Sequence, residues 1–161
     1  MVHSKRASHS VHPILNYLMN RIKIDLPAIF SFSTKIRIRI TDLNYGGHVG
    51  NDTFLSLIHE ARQQYLKFHG YEELKFEGVG LIMADAALEF KAELNYGDEV
   101  EVFVTATDFT SRGFDLYYKI EIINPGKNIL AAKAKTGMLC YDYDAKKVVT
   151  LPGMARQKLS I

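Results

Sequence analysis

Residues Asp42 to Glu60, DLNYGGHVGNDTFLSLIHE, decide how this chain is read. The first half is a turn holding Gly46, Gly47 and Gly50, the histidine His48, the asparagines Asn44 and Asn51, and Asp52. Turns that carry this much polar chemistry between regular elements usually carry function, because the scaffold holds them still while their polar groups stay free. Upstream, Ser33 to Thr41 reads as a strand. Ile36, Ile38 and Ile40 alternate there with Lys35, Arg37 and Arg39, the period of a sheet with one apolar face. Downstream, Asn51 or Asp52 is expected to cap a helix. Phe54, Leu57, Ile58, Ala61, Tyr65 and Phe68 recur at helical spacing and fall within about 100° of arc. Leu55 and Leu66 lie outside that arc, so the helix is apolar on more than one side and is expected to have a sheet wrapped round it. Gly70 is placed to end it.

Four strands follow. Ile82, Ala84, Ala86, Leu88, Phe90 and Ala92 alternate with polar or mixed partners, as do Val100 to Ala106 and Phe114 to Ile122, and a last strand runs from Ile129 to Tyr143. Turns are read at Asn95 to Asp98, Asp108 to Gly113 and Asn124 to Lys127. Consecutive hairpins make an antiparallel sheet, since parallel strands need long crossovers. One long helix with one such sheet is an α+β layer. The tail after Pro152 reads as a short polar segment.

The chain has 161 residues, 47% of them hydrophobic and 24% charged, with a net charge of +2 and a single cysteine, Cys140. That is a soluble globular composition. It argues against nucleic acid, excludes an internal disulfide, and makes Cys140 a core residue in a reducing, cytoplasmic setting. No apolar run approaches the about 20 residues that span a bilayer. Residues 1–24 contain Lys5, Arg6, Arg21 and Lys23 and no acidic residue. They read as an extension or an upstream start with Met19 as the native one; a basic targeting arm is the other reading. Residues 14–18 are expected to form a short docking helix. The division is thus an extension over 1–30 and one domain over 31–161.

Three motifs in order, Asp42-Leu43-Asn44-Tyr45-Gly46-Gly47-His48-Val49-Gly50-Asn51, then Glu60-Ala61-Arg62, then Phe90 to Val102 as FKAELNYGDEVEV, resemble the hot-dog-fold thioesterases of the 4-hydroxybenzoyl-CoA thioesterase type. The resemblance covers about residues 33–143. It implies a five-stranded antiparallel sheet wrapped round a central helix, and hydrolysis of an acyl-CoA thioester at a dimer-interface site without cofactor or metal. It also implies a homodimer or a dimer of dimers, which agrees with the long edges a single sheet leaves unpaired. An acyl-carrier-protein thioesterase and a non-catalytic acyl-thioester-binding protein are the alternatives. In the family the second Asp of D-x-D acts as nucleophile or base; here that position is Asn44, and an amide does neither.

The site that the residues and the resemblance together imply has Asn44 and His48 orienting substrate and water. A backbone N–H near Gly50 or Asn51 receives the oxyanion, as helix N-terminal amides can, and Asp52 or Glu60 activates water. Gly47 and Gly50 let the backbone approach the ligand. Asp42 is a substrate-binding candidate with a loop-pinning role as its alternative. Arg62 and Arg112 are candidates for the CoA phosphates, with Lys91, Lys133 and Lys135 also available and an ordinary solvated charge as the alternative for each.

Overall fold

The hydrophobic periods set out above fold into a sheet that curls round one helix. The computed structural model describes residues 21–160; the docking helix expected over residues 14–18, and Met19, lie outside them. The elements are β1 (Phe32–Arg37), a one-turn 3-10 helix (Ile40–Asp42), α1 (Asn51–Phe68), β2 (Gly80–Phe90), β3 (Glu99–Thr107), β4 (Gly113–Ile122), β5 (Ile129–Asp142), β6 (Lys147–Val148) and α2 (Gly153–Leu159). Every pairing is antiparallel, in the order β1-β3-β4-β5-β2. Two residues of β6 lengthen the ladder beside β5. This is the α+β hot-dog arrangement, five long strands with a two-residue sixth.

The core lies between α1 and the concave face of the sheet. Leu57, Ile58, Ala61, Tyr65 and Leu66 of α1 meet Val100, Val102 and Val104 of β3, Leu116, Tyr118 and Ile120 of β4, and Ala132 and Ala134 of β5. Alternate strand residues point inward, so the i, i+2 pattern of β3 and β4 becomes one continuous apolar surface. Cys140 is buried in that core, and burial pushes its thiol up to about 11. No helix among the described residues is long and apolar enough to cross a membrane.

Several local expectations are corrected. β1 stops at Arg37 rather than Thr41, because Ile38 exchanges backbone hydrogen bonds with Asp98 and Gly97 at 2.8 and 3.1 Å and the chain then turns into the 3-10 helix. Ile40 is therefore exposed at 66%, not on the apolar face. The cap of α1 is Gly50, with no side-chain cap hydrogen bond from Asn51 or Asp52. Phe68, at the end of the helix, is exposed, whereas Leu66 is fully buried. In β2, Ala84 and Ala86 are exposed and the register slips between Met83 and Asp85. Pro152 starts a helix rather than a polar tail, α2, which buries Ala155 and Leu159. Residues 21–30 do not stand wholly apart from the domain, since Ile24 is buried.

Candidate active site

The loop between the 3-10 helix and α1 is fixed at both ends before it carries any chemistry. At its start the buried Asp42 accepts hydrogen bonds from the Arg39 amide at 2.7 Å and the Arg39 guanidinium at 3.2 Å. Burial alone would raise the Asp42 carboxyl, but the Arg39 amide and guanidinium outweigh it and hold the pKa below its usual value. Asp42 thus anchors the loop. Leu43 bridges Val49, the Asn44 amide donates to the His48 carbonyl at 2.9 Å, and the Gly47 amide donates to the Asn44 carbonyl at 3.1 Å. Gly47 sits at φ +81°, a conformation that resists any side chain. The Val49 amide donates to the Leu94 carbonyl at 2.9 Å, which ties the loop to the chain leaving β2.

That tie creates a cavity of about 430 Å³. The loop and helix contribute Asn44, His48, Val49, Asn51 and Phe54, and the end of β2 contributes Phe90, Lys91, Ala92 and Glu93. Phe54 and Phe90 meet edge-to-face at 5.1 Å and give it an apolar wall. Asn44 Oδ1 accepts the Gly46 amide at 2.7 Å. Its Nδ2 forms no hydrogen bond among the described residues, so it can still donate. A Cβ on Gly46 would lie 3.1 Å from both Asn44 Oδ1 and His48 Nε2, so the two polar groups converge on one small space beside that glycine. His48 Nε2 stands 4.0 Å from the Glu93 carboxylate.

The helix start opens on the same side. The first intrahelical bond runs from the Phe54 amide to the Gly50 carbonyl at 3.2 Å. With no side-chain cap, the amides of Asn51, Asp52 and Thr53 have no helical acceptor. The Asp52 carboxylate folds back over Gly50, where a Cβ would collide with its Oδ1.

Asn44, His48 and Asn51 are therefore brought together, with Gly47 and Gly50 shaping the backbone between them. Glu60 is not. It opens on a different cavity, lined also by Lys35, Arg37, Arg39, Asp42 and Thr53, where it accepts from Gln64 Nε2 at 2.7 Å while Gln64 Oε1 accepts from Thr34 at 2.5 Å. Arg62 is not offered to a phosphate: it is buried and pairs with Glu73 at 2.5 Å. Arg112 is exposed in the β3–β4 turn, where its carbonyl accepts the Cys140 amide, and it does not line this cavity. The sequence reading missed Glu93 and had Lys91 only among the basic residues available to the CoA phosphates. Both sit inside the FKAELNYGD run, and the tertiary bond from Val49 to Leu94 brings them to the helix start.

The family model of the thioesterase-like superfamily matches residues 38–159. The chain belongs to that superfamily. Among curated members, 1,4-dihydroxy-2-naphthoyl-CoA hydrolase of Microcystis aeruginosa is 30% identical over 118 residues, 71% of this chain and 83% of that protein. The acyl-CoA thioester hydrolase YbgC of Escherichia coli is 27% identical over 124 residues, 75% of this chain and 90% of the relative. Among solved structures, 4-hydroxybenzoyl-CoA thioesterase from Pseudomonas sp. strain CBS-3 superposes with a TM-score of 0.71 at 15% identity, covering 81% of this chain and 99% of that one. That likeness is one of fold. The 3-10 helix, loop, α1 and β2 that build the cavity all lie within or beside the matched superfamily region.

Proposed function

We propose that this thioesterase-like protein hydrolyses an acyl-CoA thioester to the free acid and CoA in the cavity at the start of α1. The observation that carries the reading is the convergence of Asn44 and His48 beside a helix start whose first amides are uncapped, over the Phe54–Phe90 wall. The named activities of the two curated relatives, both hydrolases of CoA thioesters, support it.

The chemistry follows from the donors and acceptors. The acyl group lies against Val49, Phe54 and Phe90. The thioester carbonyl oxygen points at the Asn51 amide region, where the partial positive charge of the helix start favours developing negative charge. Asn44 Nδ2 donates to the carbonyl or holds the water. His48 takes a proton from that water as its oxygen attacks the carbonyl carbon, and Glu93 faces the resulting imidazolium. The tetrahedral oxyanion collapses, the C–S bond breaks, and the CoA sulfur leaves with the proton that His48 returns. Asn44 never acts as nucleophile in this scheme. His48 takes the place of the carboxylate expected of Asp52 or Glu60, since the Asp52 carboxylate folds over Gly50 and Glu60 opens on the separate cavity beside Lys35 and Arg37.

We further propose that two copies pair through β2. β1 carries exposed Lys35 and Arg37, charges that discourage strand addition. β2 is an eleven-residue edge strand with exposed Met83, Ala84 and Ala86. A cytoplasmic setting fits the single buried cysteine.

A second reading has one observation in its favour. The amide Asn44 replaces the carboxylate of the family pattern, which fits a protein that binds an acyl thioester without cleaving it. Turnover separates the two. The hydrolase reading requires repeated release of free CoA per protein molecule, and stoichiometric retention of uncleaved thioester would overturn it.

A further inference from the structure

A second cavity of about 500 Å³ shares two residues, Phe90 and Lys91, with the one described above. Its remaining walls are Arg21, Ile22 and Lys23 from the segment before β1 and Leu88 and Glu89 from β2. The segment is built into the fold at Ile24. The Ile24 side chain is buried, its amide donates to Glu89 Oε2 at 3.0 Å, and its carbonyl accepts Lys133 Nζ at 3.0 Å. Arg21 and Lys23 are therefore held beside β2 at a defined place.

The charge of this cavity is lopsided. Arg21, Lys23 and Lys91 bring three cations against one carboxylate, Glu89. Glu89 is itself occupied, for it pairs with Lys91, lies 3.8 Å from Lys133 and accepts the Ile24 amide. Arg21 and Lys23, both exposed, form no salt bridge with any carboxylate among the described residues. The nearest acidic neighbour along the segment is Asp25, also exposed. Two cations without a carboxylate partner among the described residues, fixed by a buried anchor, are ready for an anion.

We infer that Arg21, Lys23 and Lys91 form the binding site for the phosphates of the CoA nucleotide, with Phe90 as the divide across which the pantetheine arm passes to the thioester at Asn44 and His48. The inference deepens the hydrolase reading and rests on it for the identity of the ligand. It also chooses between donors. CoA carries a diphosphate and a 3′-phosphate, whereas the prosthetic arm of a carrier protein has a single phosphodiester and brings a folded protein with it. A compact cluster of cations at the far side of the pantetheine path matches the first.

Calorimetric titration of CoA, 3′-dephospho-CoA and pantetheine tests it, using the full-length chain and its Arg21→Glu/Lys23→Glu variant. Both positions are exposed, and circular dichroism with a melting curve checks the fold. The expected result is that the variant binds CoA at least about tenfold more weakly, with the loss shrinking at high salt, and binds pantetheine within about twofold of the wild type. CoA affinity unchanged in the variant, or wild-type protein that binds CoA no better than pantetheine, would overturn the inference. The hydrolase reading is judged apart, by thiol release from an acyl-pantetheine, which bypasses the nucleotide site. Release by both proteins with unchanged CoA binding leaves the hydrolase reading standing and removes only this site.

Discussion

His48 and Asn44 reach the same small space from two positions of one tight loop, with Gly46 leaving that space clear and Gly47 turning the backbone at φ +81°. His48→Ala should lower kcat/KM about 100-fold, the range for losing a positioned acid–base group. Asn44→Ala should cost a comparable amount if its amide holds carbonyl or water in the transition state. Melting temperatures should stay close to wild type in both, because neither side chain is fully buried. Thiol release and a melting curve check the pair together; a His48→Ala enzyme with full kcat/KM would remove His48 as the base. Gly47→Ala tests the scaffold: at φ +81° the added Cβ should cost about 1 kcal/mol or more of stability, measured by urea unfolding. The Arg39 amide and guanidinium hold the Asp42 carboxyl below its ordinary value. A depressed carboxylate contributes stability that is fully present above its unfolded pKa and fades as pH falls through the lower folded value. Wild-type protein should therefore lose stability below about pH 4 more steeply than Asp42→Asn, as acid-unfolding curves can compare.

At the scale of elements, α1 is where sequence and structure agree most and where their disagreements are most instructive. Its apolar stripe, the hairpin turns and the alternation of β3 and β4 are local signals, and each was legible as written. Ile40 and Phe68 were misread because a period continues in sequence past the point where the backbone leaves the ladder or the helix ends. α2 was hidden behind Pro152, and only Ala155 and Leu159 mark its buried side. Of the site, the loop residues Asn44, His48 and Asn51 were legible, since glycines and polar groups before a helix are a local pattern. Glu93 was not, because the landing of the β2 end on the helix start is a tertiary fact. Arg62 belongs to the same lesson. It lies four residues from Ile58 and from Leu66, inside the buried face of α1, so its charge required a partner, which Glu73 provides at 2.5 Å. Arg62→Ala should destabilise the protein by about 3 kcal/mol by removing the buried partner of Glu73, while KM for acyl-CoA in the folded fraction stays near wild type. A large rise in KM with unchanged stability would return Arg62 to the substrate.

For the whole molecule, the sheet ends in the β2 edge strand. If two copies pair there, light scattering should give twice the mass of one chain or a multiple of it. Ala84→Glu with Ala86→Glu should then release single chains by setting like charges against each other along the edge. Wild-type protein that runs as a single chain would contradict the pairing. The central claim, hydrolysis of an acyl-CoA thioester at the loop–helix junction, is tested most directly by CoA release from a panel of short, long and aromatic acyl-CoAs. A thiol reagent reads the product cleanly, because the one protein thiol, Cys140, is buried and pushed up to about 11. The account predicts repeated turnover on at least one member of the panel, falling at least about 100-fold in the Asn44→Ala/His48→Ala protein at unchanged melting temperature. Bound but uncleaved thioester across the whole panel, or full turnover in the double variant, would contradict it.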